Sequence, residues 1–211
     1  MEAREKRAAL LEALLPDVPF DGWSRGALAA AARHIGIDDA ELAGLFPGGP
    51  REAVAEFSRW ADRRMLAALS EKKLEAMKVR ARIALAVRTR LDVLEPHREA
   101  VRRALALLAL PHNLALGLRL LYGTVDAIWY AAGDTATDFN FYTKRGLLAG
   151  VLATTTLYWL DDRSPGTEET DAFLERRLAD VLALPKLGAR IGESFAWLPN
   201  PFRLMRAARR H

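Results

Sequence analysis

The helical periodicity of its apolar residues constrains the fold of this chain more than any other feature. Leucine, alanine and valine recur every three or four residues in long segments, and the two-residue alternation of half-buried β-strands does not appear. The clearest segment starts at Leu110. Its apolar stripe is formed by Leu114, Leu118, Leu121, Val125, Ile128 and Ala132. The pattern predicts an all-α protein whose helices each bury one face.

Three short helices are predicted in the first fifty residues. The first covers residues 2–15, the second begins after Ser24 and stops at Gly36, and the third covers residues 37–46. This arrangement resembles the helix-turn-helix of TetR-type regulators. A DNA-reading helix offers basic, amide or hydroxyl side chains, whereas the third helix carries acidic ones and no basic one: Asp38, Asp39 and Glu41. We therefore predict a TetR-like bundle over residues 1–50 that does not bind nucleic acid.

Charge is distributed unevenly along the chain, whose net charge is +4. Residues 1–50 contain five basic and eight acidic side chains, and this acidic excess repels phosphate. Residues 51–109 contain fourteen basic and eight acidic side chains. We interpret this basic excess as an ordinary exposed face of long helices, with Arg82, Arg88 and Arg90 in solvent.

A turn separates two central helices. Gly133 suits a left-handed C-cap at the end of the first, and the second is predicted to begin at Thr137 or Asp138. Aromatic and charged side chains follow within eight residues. Such a group is typical of protein interfaces, although spacing alone favours packing on the neighbouring helix.

Three motifs in this region resemble those of the Coq-nine family, the lipid-binding accessory proteins of ubiquinone biosynthesis. They are Leu110-Pro-His-Asn, Asp126-Ala-Ile-Trp-Tyr-Ala-Ala-Gly-Asp and Thr137-Asp-Phe-Asn-Phe-Tyr-Thr-Lys-Arg, and the similarity extends to about Leu184. The resemblance implies a dimeric TetR-like protein that presents quinone precursors to the di-iron demethoxyubiquinone hydroxylase. The partner-binding residues it implies are Asp138, Asn140, Phe141, Tyr142 and Arg145. Phe141 and Lys144 replace a tryptophan and an arginine of the family pattern, so affinity or partner identity is open.

The resemblance also implies that a helical core over residues 51–185 holds an isoprenoid quinone or a phospholipid. The apolar stripes of the two central helices supply the predicted lining: Leu114, Leu118, Leu121, Val125, Ile128, Trp129, Leu148 and Leu152. Solid core packing has the same sequence signature, so a scaffold without a cavity is one alternative. A ligand-responsive TetR-type transcriptional regulator with an apolar effector pocket is the other.

The last segment, residues 186–211, combines helical apolar spacing with six basic side chains and one acidic one. Pro185 is predicted to end the amphipathic helix of residues 167–184 that precedes it. A peripheral membrane surface suits this segment, and packing on the protein itself is the alternative. The predicted membrane contacts are Ile191, Phe195, Trp197, Leu198, Phe202, Arg203, Met205 and Arg206.

Sequence motifs for catalysis and metal binding are not found. Cysteine is absent, the four histidines are scattered, and neither a phosphate loop nor a nucleophile elbow occurs. The longest uncharged runs have 15 residues, fewer than the roughly 20 of a membrane-spanning helix, and the N-terminus does not match a signal or transit peptide. We expect a non-catalytic protein without cofactor or metal, located in the cytoplasm and peripheral on the inner face of the membrane.

Overall fold

Helices form all the regular secondary structure of the described part of this computed structural model. The description covers the backbone of residues 3–133 and 140–195 and the side chains of residues 3–133 and 144–181. The helices are α1 (Ala3–Leu14), α2 (Val18–Asp21), α3 (Arg25–His34), α4 (Asp39–Leu45), α5 (Pro50–Ser70), α6 (Val79–Leu94), α7 (Arg98–Leu108), α8 (Leu114–Ala131), α9 (Asn140–Asp161) and α10 (Glu168–Phe195). The all-α prediction is confirmed.

Capping side chains set the helix boundaries that the sequence predicts. The Ser24 hydroxyl accepts a hydrogen bond from the Ala27 N–H at 3.0 Å, and Asp38 accepts one from the Glu41 N–H at 2.8 Å. Gly133 follows α8 with a φ of +82°, the left-handed conformation expected of a C-cap glycine. The short helix α2 was not predicted; Pro19 lies in its first turn, where a missing N–H is harmless.

The prediction that Pro185 ends the last long helix is wrong. The helix α10 continues through this residue to Phe195. A proline removes one backbone donor and strains the preceding turn, but the apolar helical spacing of Leu187 and Ile191 persists beyond it. The predicted start of the tail at residue 186 therefore lies inside a helix.

The prediction that Arg90 faces solvent is also wrong. Its exposed fraction is 9%, and its Nε donates to Asp62 Oδ1 on α5 at 2.8 Å. It continues the buried stripe of Ile83 and Val87 at helical spacing, so its position along α6 determines its burial. Arg88, two residues earlier and therefore about 160° away around the helix, bonds to carboxylates of α10 at the surface.

The helix α5 is the centre of the packing, because it contacts α1, α6 and α8. An aromatic cluster ties the N-terminal helices to it. The Trp23 Nε1 donates to the Ala100 carbonyl at 2.9 Å, and its ring lies 5.3 Å from that of Phe57. Burial and the nearby Arg64 lower the pKa of His97, which contacts the same cluster edge-on. The buried core therefore runs without a break from the N-terminal bundle into the later helices.

The carboxylate of Asp162 fixes the loop between α9 and α10. It accepts hydrogen bonds from the backbone and hydroxyl groups of Ser164 at 2.7 and 2.6 Å and from those of Thr170 at 2.8 and 2.5 Å. Burial opposes its charge, but these hydrogen bonds outweigh burial and hold the pKa of Asp162 well below its usual range.

We expect Asp162→Asn to lower the free energy of unfolding at pH 7 by about 2 kcal/mol, because the amide leaves buried donors without an acceptor. The folded-state pKa lies below the unfolded value of about 3.9, so the charged form contributes fully above pH 4 and loses its contribution as the pH falls further. Denaturant titrations at pH 7 and pH 3 measure the difference. The exposed neighbour provides the control, Asp161→Asn, and an Asp162→Asn deficit that is the same at both pH values would contradict the prediction.

Candidate functional site

A cavity of about 500 Å³ lies among α5, α6, α7, α8 and α9. This volume is in the range of small-molecule sites in proteins. Aliphatic side chains form most of its wall. The helix α7 contributes Val101, Ala104, Leu105 and Leu108, and α8 contributes Leu114, Gly117, Leu118, Leu120 and Leu121. Such a wall offers dispersion contacts and burial to an apolar ligand but few hydrogen bonds.

Exposed leucines mark the mouth of the cavity. Leu114, Leu118 and Leu157 line it and have exposed fractions of 53, 52 and 58%. Complete burial of a leucine side chain stabilises a protein by roughly 1.5–3 kcal/mol, and each of these three forgoes about half of that gain. Apolar groups clustered at a surface opening are characteristic of sites that bind apolar partners.

Polar side chains lie at the opposite, inner end. Thr124 is 2% exposed and Arg90 is 9% exposed, and both line the cavity together with Ser58. At a rise of 1.5 Å per residue, Thr124 lies about 15 Å along α8 from the mouth residue Leu114. The cavity therefore has an apolar outer part and a hydrogen-bonding inner end.

The predicted lining residues divide into two groups. The cavity is lined by Leu114, Leu118, Leu121 and Leu152, whereas Val125, Ile128, Trp129 and Leu148 are buried in the core and do not line it. The apolar stripe of α8 thus forms cavity wall in its first half and solid core in its second. The wall from α7 was not predicted, although its apolar residues recur at helical spacing on one face.

A second feature is the exposed stripe of α8 next to the start of α9. Tyr122 and Tyr130 are 45 and 82% exposed, and the Asp126 side chain lies between them. Arg145 of α9 is buried, and its Nε and Nη2 each lie 2.9 Å from Asp126 Oδ1. Arg145 is one of the predicted partner-binding residues. It is buried, and it holds the exposed Asp126 carboxylate in position.

The remaining predicted contacts cannot be placed on this surface. Asp138 lies outside the described residues, as do the side chains of Asn140, Phe141 and Tyr142. Of the predicted membrane contacts, Ile191 and Phe195 belong to α10 by their backbone, with side chains outside the description. Those that lie wholly outside it are Trp197, Leu198, Phe202, Arg203, Met205 and Arg206.

Residues 3–133 and 144–181, whose side chains the structure describes, contain no group of three or more His, Asp or Glu side chains placed to hold a metal ion. Over residues 3–133 and 140–195, no helix alone has the length and hydropathy to cross a membrane. Only the segments Val79–Leu108 and Pro111–Ala131 taken as a pair, bent by 99°, meet these two criteria.

A solved structure confirms the TetR-like fold. A TetR transcriptional regulator from Nitrosomonas europaea superposes with a TM-score of 0.69, covering 84% of this chain and 98% of that chain at 20% sequence identity. At this identity the likeness concerns the fold alone.

Sequence relatives come from ubiquinone biosynthesis. The human mitochondrial protein COQ9 is 38% identical over 180 residues, which are 82% of this chain and 56% of the human one. The cattle protein is 37% identical with the same coverage, and the Drosophila melanogaster protein is 34% identical over 182 residues, 84% of this chain and 56% of its own length. This chain therefore spans somewhat more than half the length of these relatives.

The COQ9 family model matches residues 114–185, which include α8, α9 and most of α10. This segment contains one wall of the cavity, two of its exposed mouth leucines on α8 and the third on α9, and the whole tyrosine stripe. It also contains two of the three motifs that resemble the Coq-nine family, and the third, Leu110-Pro-His-Asn, ends directly before it. On these matches, the chain belongs to the COQ9 family.

Proposed function

We propose that this chain is a non-catalytic, lipid-binding protein of ubiquinone biosynthesis. It holds an isoprenoid quinone precursor in the cavity and presents it to the demethoxyubiquinone hydroxylase. The observation that carries this proposal is the apolar cavity, whose leucine-lined mouth lies on the α8–α9 segment that matches the COQ9 family. The similarity to the COQ9 family indicates the biosynthetic pathway, and the apolar lining of the cavity indicates an apolar ligand.

The energetics of an apolar chain support this role. Each CH₂ group moved from water into the cavity stabilises the complex by about 0.8 kcal/mol. An isoprenoid chain that runs from the mouth at Leu114 to the inner end near Thr124 therefore gains several kcal/mol, against which the cost of immobilising it must be set. The exposed leucines also gain from contact with the part of the chain that emerges.

The hydroxylase contacts the exposed stripe of α8 in this proposal. This stripe offers two exposed aromatic rings, those of Tyr122 and Tyr130, and the carboxylate of Asp126. The buried Arg145 orients that carboxylate by a hydrogen bond. The Lys144 ammonium group of α9 lies over the Trp129 ring, 5.7 Å from the ring centre, and makes a cation–π contact with it. The predicted partner-binding residues between Asp138 and Tyr142 follow α8 in the sequence and complete the contact in this proposal.

Membrane attachment and dimer formation belong to the same proposal. The basic residues of 186–211 attract anionic lipid headgroups, and the protein acts there as a peripheral homodimer. The continuation of α10 to Phe195 supports this, since one helix leads from the core into the basic segment.

A transcriptional regulator is the second candidate, and the TetR-like fold favours it. Its reading helix would be α4, whose seven residues include no basic one; Asp39 is exposed and Glu41 forms an ion pair with Lys6. We expect no sequence-specific, salt-sensitive binding in a titration with duplex DNA fragments between 50 and 200 mM salt, the range in which phosphate contacts weaken by about 10³-fold or more. Nanomolar binding with a steep salt dependence would establish the regulator instead.

Filling the cavity tests the lipid role. Ala153 lines the cavity on α9, so we expect Ala153→Phe to exclude the ligand. The matched control is Ala172→Phe, at an exposed position of α10. A benzoquinone with a short isoprenoid chain, added at about 100 times its Kd, stabilises a binding protein by about 2.7 kcal/mol, which raises the Tm by roughly 5–10 °C. Calorimetry should show this shift for the wild type and the control and less than about 2 °C for Ala153→Phe; equal shifts in all three would contradict the assignment of the cavity.

Truncating the exposed stripe tests the partner surface. Tyr130→Ala removes a ring that is 82% exposed, so the fold is preserved, and we expect at least about a tenfold loss of affinity for purified hydroxylase because aromatic anchors dominate interfaces. The control, Phe20→Ala, removes an equally exposed ring from α2. Biolayer interferometry measures both. If the two variants bind the hydroxylase equally well, the contact lies elsewhere.

A further inference from the structure

The inner end of the cavity contains the Arg90 guanidinium, and an apolar ligand leaves one of its nitrogens without a hydrogen-bond acceptor. Arg90 donates through Nε to Asp62 at 2.8 Å and through Nη2 to the Ser58 hydroxyl at 3.4 Å. Its Nη1 has no acceptor among the residues that the structure describes. Because Arg90 lines the cavity, a ligand oxygen placed next to Nη1 accepts a hydrogen bond that the protein does not satisfy itself.

The charge of Arg90 is already balanced. The Asp62 carboxylate accepts from Arg90 and, through both oxygens, from the Thr124 hydroxyl at 3.0 Å. The Arg90 and Asp62 side chains are only 11 and 15% exposed. Because the pair is neutral overall, an anionic phosphate placed there loses its hydration without meeting an uncompensated positive charge. A neutral oxygen such as a carbonyl or ether oxygen needs only the donor.

We infer that Arg90 binds the neutral, oxygen-bearing head group of the cavity's ligand through Nη1. The ligand then lies head-inward, with its chain directed to the mouth at Leu114, Leu118 and Leu157. This inference rests on the proposed function and adds the class of head group and the orientation of the ligand. In this orientation the ring is shielded during carriage, and transfer to an acceptor begins with the chain.

Three ligands with the same isoprenoid chain test the head-group preference: a benzoquinone, a diphosphate and the oxygen-free hydrocarbon. Arg90→Lys keeps a cation beside Asp62 but loses the second donor arm. Arg88→Lys, on the same helix and paired at the surface with Asp171 and Glu175, is the matched control. Isothermal titration calorimetry of the full chain in one detergent buffer gives the Kd values.

We expect the wild type and Arg88→Lys to bind the quinone at least about tenfold more tightly than the hydrocarbon, as one hydrogen bond to a charged donor provides. Arg90→Lys should lose most of this preference while its hydrocarbon affinity stays within about twofold. An unchanged preference in Arg90→Lys, or tighter wild-type binding of the diphosphate than of the quinone, overturns the head-group assignment and leaves the cavity role intact. A wild type that binds neither the quinone nor the hydrocarbon overturns the proposed function and this inference together.

A second experiment leaves Arg90 unchanged and tests the orientation. The chain contains no cysteine, so a single introduced thiol reports where a benzoquinone ring, which adds to thiols, is held. Ser58→Cys places the thiol at the inner end, and Leu118→Cys places it at the mouth. Mass spectrometry measures the rate of modification. We expect the chain-bearing quinone to modify Ser58→Cys faster than Leu118→Cys. A quinone without the chain should show the reverse order, because the Leu118→Cys thiol is exposed. Faster modification of Leu118→Cys by both quinones overturns the head-inward orientation.

Discussion

A buried ion pair, Asp62 with Arg90, joins α5 to α6, and the Thr124 hydroxyl adds α8 to the same carboxylate. Breaking such a pair by removing one partner typically costs about 3–5 kcal/mol, because the other charge stays buried. The three helices are therefore fixed to one another at the inner end of the cavity. Among the described residues, no buried ion pair lies at the mouth, where leucines of α8 and α9 face solvent. The cavity therefore extends from this ion pair at its inner end to the exposed leucines of α8 and α9 at its mouth.

The N-terminal bundle illustrates how one fold serves different functions. Its helices have the order and caps of a TetR-like DNA-binding unit, including Ser24 before α3 and Asp38 before α4. Its acidic residues remove the electrostatic attraction that DNA binding needs. The bundle also has a structural role, since Trp23 anchors it to α7 and to the centre of α5. Fold similarity at 20% identity concerns the fold alone, and a shared fold does not imply a shared function.

The sequence predicts the helices and their caps well, because periodicity and capping are local properties. It does not predict the burial of Arg90 or Arg145, because each is compensated by a carboxylate 28 or 19 residues away along the chain. Nor does it separate core from cavity along α8, where Leu118 and Val125 have similar side chains but only Leu118 borders empty space. That difference depends on how far α7 and α9 approach, which no local pattern encodes. Nor does the sequence predict that α10 continues through Pro185. Whether a helix tolerates the one backbone hydrogen bond that a proline removes depends on the whole helix and not on the proline alone.

The central claim is that the space among α5 to α9 holds a lipid rather than being solid core or an empty defect. Native mass spectrometry of the purified full chain, followed by organic extraction, tests it most directly. We predict a bound isoprenoid lipid at about one per chain, released by extraction and restored by an added isoprenoid benzoquinone, since one cavity of about 500 Å³ accommodates one chain. A chain that is lipid-free when purified and takes up no added quinone would contradict the claim.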